Sequence, residues 1–157
     1  AGEIRRAILG FGGMDRRFDF HVRRDDMVYI SDYAHHPEEI RQSILSIRQL
    51  YEGRRIRAIF QPHLYSRTND FYREFADALS LLDDVVLMDI YPAREEPIPG
   101  VTSRLIYDNL KPGTRKALCS KADILQHVCQ KDFDVLVTLG AGDIEDFAGK
   151  ITEILSR

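Results

Sequence analysis

The chain has 157 residues, and 22 lysines and arginines against 25 aspartates and glutamates give it a formal net charge of −3. This length fits one domain with its own hydrophobic core, and the near balance of charge does not suggest a nucleic acid or an anionic membrane as partner. No apolar run approaches the roughly 20 residues that a membrane span needs, and the N-terminal AGEIRRAILG lacks the pattern of a signal peptide. Cys119 and Cys129 do not form a C-x-x-C motif, so we expect reduced thiols in a cytoplasmic protein.

The N-terminal part of the chain predicts two strands and a helix. Residues 1–13 fit a core pattern least well and look like the border of a part that has been cut away. FDFHV (18–22) and MVYIS (27–31) are β-rich runs around RRDD, which predicts a hairpin or two strands joined by a polar turn. Pro37, followed by two glutamates, marks a helix start, and isoleucines recur after it at helical spacing.

The rest of the chain alternates strands with helices. Strands are predicted at 56–60, 83–90, 116–119 and 134–139, and helices at 69–82, 102–110, 121–130 and 143–157. This alternation predicts an α/β fold, a three-layer sandwich in which a mainly parallel sheet is covered by helices on both faces. The N-terminal pair adds an antiparallel hairpin or edge strand.

The loops after the strands are where a ligand is expected. In parallel α/β sheets, ligands bind beyond the carboxyl ends of the strands, and four loops leave those ends, at 31–37, 61–68, 91–100 and 138–143. The polar and aromatic side chains that these loops bring to one edge are Asp32, Tyr33, His35, His36, His63, Tyr65, Arg67, Tyr91, Glu95 and Glu96.

The loop SDYAHHP has two interpretations. In the first, His36 caps the following helix and His35 is merely exposed. In the second, the loop is part of a site, because a histidine at a helix N-terminus is discouraged from protonating and stays able to donate or accept near pH 7. The presence of a second histidine-bearing loop favours the second interpretation.

The loop QPHLYSRT also has an ordinary interpretation, a turn at Pro62 and a helix cap at Thr68. That interpretation leaves His63 and Arg67 unexplained. We expect Arg67 to lie just before the helix start, where its charge adds to the positive end of the helix dipole. Such a place suits a carboxylate or a phosphate.

The other two loops are less informative. YPAREEPIPG is a rigid, proline-braced loop, and we expect at least one of Glu95 and Glu96 to be solvated. LGAGDIED is not a phosphate loop, because acids in its first helical turn repel phosphate. Gly149-Lys150 is not a Walker motif either, since Ile144 and Ile151 stand where that motif needs Gly and Ser or Thr.

A metal site is the remaining interpretation of three histidines and an acid. Adjacent side chains such as those of His35 and His36 diverge and seldom share one ion, and no H-x-x-x-H spacing occurs. We therefore expect no metal site in this chain.

Four motifs in their order and spacing resemble one family. SDYAHHPEEI, FQPHLYSRT, DIYPAREEPIPGVTS and VLVTLGAGDI are similar to the C-terminal domain of the Mur ligases of bacterial peptidoglycan synthesis, and within them to the branch that adds the first amino acid. GFGGMDRRF is similar to the family's junction between central and last domains. The resemblance implies that 1–13 is the end of a hinge from a central domain and that 14–157 is the Rossmann-like, amino-acid-binding domain.

The resemblance also implies an activity for the whole protein. Family members of this branch join L-alanine to UDP-N-acetylmuramate in an ATP-dependent reaction through an acyl phosphate. ATP and Mg²⁺ are bound mainly by the family's other domains, so this chain alone is expected to be inactive and to bind neither tightly. No nucleic acid or membrane partner is implied.

Roles carry over from the family motifs to individual residues. Asp32 and Tyr33 are expected to face the nucleotide, and Arg67 and His63 to bind L-alanine. His35 and His63 are the expected catalytic residues, and the resemblance does not choose which of them contacts the forming bond.

Two departures from the family pattern bear on these roles. Many members have Asp where this chain has Ser31, and many have Arg where it has Leu64. Either Arg67 acts alone on the amino acid, or another cation such as Arg94 substitutes. The alternative function is a stand-alone Rossmann-like module that binds a small anion or a protein without catalysis. The amino acid accepted (alanine, serine or glycine) and the oligomeric state are left open.

Overall fold

The computed structural model describes residues 18–157, so the predicted hinge over 1–13 lies outside the described residues. These residues form a sheet of six strands in the order β1-β2-β6-β3-β4-β5. The strands are β1 (Asp19–Arg23), β2 (Val28–Asp32), β3 (Ile56–Phe60), β4 (Asp84–Met88), β5 (Arg115–Cys119) and β6 (Val135–Leu139).

The helices follow the strands as predicted for an α/β chain. They are α1 (Pro37–Leu50), α2 (Tyr65–Leu79), α3 (Arg104–Asn109), α4 (Ile124–Cys129) and α5 (Ala148–Leu155). The predicted helices at 121–130 and 143–157 each open with a 3₁₀ segment, Lys121–Asp123 and Asp143–Phe147. None of the helices in the described part of the chain is long and apolar enough to cross a membrane.

The sheet is mixed in the way the sequence predicts. β1 and β2 form an antiparallel hairpin with an irregularity between Phe20 and Val22. The pairs β2–β6, β6–β3, β3–β4 and β4–β5 are all parallel. The predicted mainly parallel sheet with an antiparallel N-terminal hairpin is therefore confirmed.

The sheet has a hydrophobic core on each face. Val85 and Leu87 of β4 pack in the core on the side of α1, α2 and α3, and Val86 and Met88 pack on the side of α4 and α5. Successive side chains of a strand point to opposite faces, so a strand covered on both sides is apolar throughout. This explains the uninterrupted apolar runs and gives the predicted three-layer sandwich.

The start of α2 differs from the prediction. The helix begins at Tyr65 rather than Asn69, so Thr68 is inside it, buried, with its hydroxyl donating to the carbonyl of Leu64 at 2.9 Å. The predicted cap at Thr68 is wrong, and Arg67 lies in the first turn of the helix rather than before it. The physical reason is a sharp turn at Leu64, whose φ is 75°, which ends the loop four residues early.

Candidate functional site

The carboxyl ends of four parallel strands lie level with one another. Phe60 of β3 pairs with Leu139 of β6 and with Leu87 of β4, and Asp32 of β2 pairs with Leu139 from the other side. Beyond these ends, His63 and Tyr91 form one more parallel bridge. The loops predicted to carry the site therefore meet at one edge of the sheet.

Asp32 anchors the first of these loops. Its side chain is buried, with one oxygen accepting from the backbone N–H of Ala34 at 2.9 Å and the other from the hydroxyl of Ser43 on α1 at 2.5 Å. These bonds hold the loop against α1. The predicted contact of Asp32 with a nucleotide stays a prediction, as does that of the half-buried Tyr33.

The adjacent histidines diverge. His36 is the N-cap of α1 in a capping box, where its Nδ1 accepts from the N–H of Glu38 at 3.4 Å and the carboxylate of Glu39 accepts from the N–H of His36 at 3.1 Å. The predicted capping role of His36 is thereby confirmed. His35 is half-buried, and its ring meets those of Tyr33 and His63 edge to face, with centroids 5.5 and 6.0 Å away. It is not merely exposed.

His63, in the loop before α2, contacts Arg67 in the first turn of that helix. Nη1 of Arg67 lies 3.2 Å from Nδ1 of His63. Burial lowers the pKa of His63 below its usual 6.5, and the nearby charge of Arg67 and the ring of His35 lower it further, against an opposing effect of Glu95. His63 is therefore neutral at pH 7, and the structure brings His35, His63 and Arg67 into one cluster.

Glu95 supplies the cap that α2 lacks. The N-cap residue Leu64 has no polar side chain, and the Glu95 carboxylate accepts from the backbone N–H of Ser66 at 3.0 Å and from the Ser66 hydroxyl. The hydrogen bond from the Ser66 hydroxyl has the largest effect and that from the Ser66 N–H the next largest, and together they lower the pKa of Glu95 below its usual value. Glu96 is exposed, so the prediction that at least one of the two glutamates is solvated is confirmed.

Tyr91 joins three of the loops. Its N–H donates to the carbonyl of Pro62 at 2.8 Å, and its carbonyl accepts from the N–H of Leu64 at 2.9 Å. Its ring stacks on that of His63 with centroids 5.6 Å apart and an angle of 14° between the planes. On the remaining side, a Cβ added to Gly142 would lie 2.7 Å from Cγ of Tyr91, so only glycine fits there.

Three polar residues at this edge were not among the predicted site residues. Gln61 donates to Asp143 at 2.6 Å and accepts from the N–H of Ile144 at 3.0 Å, and Asp143 forms an ion pair with Lys121. They line a cavity of about 280 Å³ beside Tyr91. Lys121 could have been found, because it follows β5 by two residues and β5 is parallel to its neighbour.

The structure shows the surroundings of Ser31 and Leu64, the two residues that depart from the family pattern. Ser31 is buried, and its hydroxyl lies 2.7 Å from Nε2 of His21 on β1. Leu64 is half-buried at the N-cap of α2, next to the cluster in sequence, and Arg94 is exposed on the β4–α3 loop. Tyr65 is the first residue of α2 and is half-buried.

The described residues do not offer a metal centre. Within 18–157, His, Cys, Asp and Glu side chains form no group of three or more that could hold an ion. The arrangement at the edge can instead bind an anion through the guanidinium of Arg67 and exchange hydrogen bonds through two imidazoles.

Comparison with known proteins identifies the family of this chain. The family model described as Mur ligase, glutamate ligase domain, matches residues 16–142. The UDP-N-acetylmuramate–L-alanine ligase of Phocaeicola vulgatus is 59% identical over 155 residues, which are 99% of this chain and 34% of that protein. The protein of the same name from Parabacteroides distasonis is 50% identical over 155 residues, 99% of this chain and 33% of its own length.

Solved structures give the same fold. UDP-N-acetylmuramate-alanine ligase from Thermotoga maritima superposes with a TM-score of 0.69 at 28% identity, covering 94% of this chain and 35% of that one. A murein peptide ligase from Psychrobacter arcticus shares the fold with a TM-score of 0.70 at 22% identity, covering 91% and 30%. The chain spans about a third of the length of the curated relatives it matches, and it belongs to the Mur ligase family as that family's C-terminal domain.

Proposed function

We propose that this chain is the amino-acid-binding domain of a cytoplasmic, ATP-dependent ligase that joins L-alanine to UDP-N-acetylmuramate in peptidoglycan synthesis. The observation that carries the proposal is the cluster of Arg67, His63 and His35 at the carboxyl edge of the sheet. Relatives at 59% and 50% identity bear the name of that ligase.

Arg67 is suited to the carboxylate of the incoming amino acid. A guanidinium binds a carboxylate through two parallel hydrogen bonds, and its place in the first turn of α2 adds the positive end of the helix dipole. With Leu64 in place of the family's second arginine, Arg67 is the cation that we assign to this role.

The reaction that this site serves has two steps. The lactyl carboxylate of UDP-N-acetylmuramate attacks the γ-phosphate of ATP and yields an acyl phosphate and ADP. The amine of L-alanine then attacks the acyl carbon, the bond from that carbon to the phosphate oxygen breaks, and an amide and phosphate result. Because the described residues lack a group of metal ligands and the sequence lacks a Walker motif, we assign ATP and Mg²⁺ mainly to other parts of the whole protein.

The direct test is ligation by the longest protein that the gene encodes. With UDP-N-acetylmuramate, ATP and L-alanine, we expect alanine-dependent release of phosphate and formation of the amide. The 157-residue chain alone is expected to be inactive and to lack micromolar affinity for ATP by calorimetry. Arg73→Ala, an exposed arginine of the same helix, serves as a control that leaves the rate unchanged. No alanine-dependent phosphate release from the whole protein, with the chain still binding a small anion, would favour the stand-alone module instead.

A further inference from the structure

The hydrogen-bond partners of His35 and His63 differ in kind. The two half-buried rings meet edge to face with centroids 6.0 Å apart, and in each the Nδ1 atom already has a partner within the protein. Among the contacts of residues 18–157, Nε2 of each ring is thus the nitrogen left to act on a ligand. Whether that nitrogen donates or accepts depends on which tautomer the Nδ1 partner selects.

His63 is held with its proton on Nε2. Its Nδ1 lies 3.2 Å from Nη1 of Arg67, and a guanidinium has N–H donors only. Nδ1 must therefore present its lone pair. Because burial and the charge of Arg67 lower the pKa of His63, the ring is neutral, and its single proton sits on Nε2.

His35 is held with its proton on Nδ1. This atom lies 3.1 Å from the backbone carbonyl of Tyr33 and 3.7 Å from a carboxylate oxygen of Glu39. Both neighbours accept hydrogen bonds, so Nδ1 must donate. In the neutral form of this ring the lone pair is then on Nε2, and the Glu39 carboxylate is placed to stabilise the imidazolium that forms when Nε2 takes a proton.

Tyr91 fixes the plane of the His63 ring. The two rings stack with centroids 5.6 Å apart and an angle of 14° between their planes. Two backbone hydrogen bonds tie Tyr91 to the His63 loop, and Gly142 packs against Cβ and Cγ of Tyr91. Rotation of the His63 ring would break both the stack and the contact with Arg67. Tyr91 is thus a positioning residue for the direction in which Nε2–H points.

We propose that His35 and His63 divide the proton chemistry of the site, with Nε2 of His35 accepting a proton and Nε2–H of His63 donating a hydrogen bond. This inference rests on the proposed ligase function. As the substrate amine attacks the acyl carbon, one N–H proton passes from the amine nitrogen to Nε2 of His35, and the electron pair of the breaking C–O bond leaves with the phosphate. His63 donates to an oxygen that carries negative charge in the same step, and His35 returns its proton to solvent.

Nitrogen-15 NMR of the histidine-labelled 157-residue chain tests the tautomers without any enzymatic activity. At a pH well above the ordinary histidine pKa of about 6.5, His35 should show a protonated Nδ1 and His63 a protonated Nε2. Arg67→Met should remove the preference in His63 and leave that in His35. The same tautomer in both rings, or an unaltered His63 in Arg67→Met, would overturn the proposal, whereas the ligase assignment would stand.

Kinetics of the whole protein test the roles. The amide nitrogen of glutamine can donate roughly where Nε2–H does but cannot take up a proton. His63→Ala should lower kcat by about 10²–10³-fold, and His63→Gln should restore part of it. His35→Gln and His35→Ala should both lower kcat by about 10²–10⁴-fold, with no rescue by glutamine.

The control is His127→Gln, a half-buried histidine on α4, which should leave kcat unchanged. Tyr91→Leu should lower kcat, shift the His63 ring signals and leave those of His35 in place. Rescue of His35 but not of His63 by glutamine would reverse the roles and overturn the proposal. A whole protein without any ligation would refute the proposed function, and the tautomer measurement would still report on the rings.

Discussion

His63 takes its protonation state from the residues that surround it. Burial, the guanidinium of Arg67 and the ring of His35 all favour the neutral form, and the carboxylate of Glu95 opposes them. The outcome matters for binding, because a neutral His63 accepts a hydrogen bond from Arg67 and adds no positive charge that would repel it. The contact therefore holds the guanidinium in place, as the proposed binding of an anionic ligand requires.

The lowered pKa of His63 predicts an acid-sensitive contribution to stability. Between the folded pKa and the ordinary value of about 6.5, the unfolded chain binds more protons than the folded one, so the free energy of unfolding falls as the pH is lowered through that interval. His63→Gln should lack this component. Urea unfolding of both proteins at several pH values should show that the parent chain loses more stability than His63→Gln as the pH falls below about 6.5. An NMR titration that gives His63 a pKa at or above 6.5 would contradict this.

Gly142 is required by space. An added Cβ would lie 2.5 Å from Oε1 of Gln61 and 2.7 Å from Cγ of Tyr91, so Gly142→Ala must displace the ring or the loop. We expect a loss of about 1–3 kcal/mol in the free energy of unfolding, measured by urea unfolding. The matched control is Gly149→Ala in α5, where nothing lies within 4 Å of the added Cβ and a small gain of about 0.4–1 kcal/mol is expected. Equal effects at the two glycines would refute the steric account.

At the scale of the elements, β3 and β4 are held together at their amino ends by a buried ion pair. Arg57 is 2% exposed, and its Nε and Nη2 donate to one oxygen of Asp84 at 2.8 and 2.5 Å. Nη1 donates to the carbonyl of His127 at 2.7 Å, so the guanidinium also ties α4 to the sheet. The pair lies at the edge opposite the candidate site.

Removing one partner of this pair should be costly. Asp84→Ala leaves the Arg57 charge buried with Asp132, 2.7 Å from Nη2, as its remaining carboxylate partner. Losing a hydrogen bond to a charged group costs about 1.5–3 kcal/mol. Arg57→Met combined with Asp84→Leu should recover much of that loss, because neither charge is then left buried. The measurement is urea unfolding of the single and double variants. A double variant that is less stable than Asp84→Ala would show that the ion pair itself, rather than the uncompensated charge, carries the stability.

The elements differ in how far local sequence determines them. The hairpin, α1 and the apolar strands were predicted because their signals are local. Turn residues mark the hairpin, a proline with two glutamates marks the start of α1, and uninterrupted apolar runs mark the strands. The start of α2 was misplaced because the turn at Leu64 has a positive φ, and because the carboxylate that caps the helix, Glu95, is 29 residues away from Ser66. Gln61 was missed for a related reason, since its partner Asp143 comes from a distant loop. Arg57 is a charged residue in a strand predicted from its apolar neighbours, and its partners Asp84 and His127 are equally remote in sequence.

At the scale of the whole molecule, one sheet with a core on each face carries the site at one edge. The site presents side chains from the chain segments after β2, β3 and β4. The loop after β6 packs against two residues of these segments, Gln61 and Tyr91. Such a surface suits a domain that covers a ligand bound partly elsewhere, and the chain spans about a third of the length of its curated relatives. The amino-acid contact of Arg67 is therefore the central claim about this domain.

Steady-state kinetics of Arg67→Ala in the whole protein, with each substrate varied in turn, test that claim most directly. Losing a charged hydrogen-bond partner for a carboxylate costs about 1.5–3 kcal/mol, so the KM for L-alanine should rise about ten- to more than a hundredfold, with a much smaller change for ATP. Arg67→Lys should recover only part, because a point charge does not reproduce the planar fork. An unchanged KM for L-alanine together with weakened ATP binding would contradict the account and assign this loop to the nucleotide.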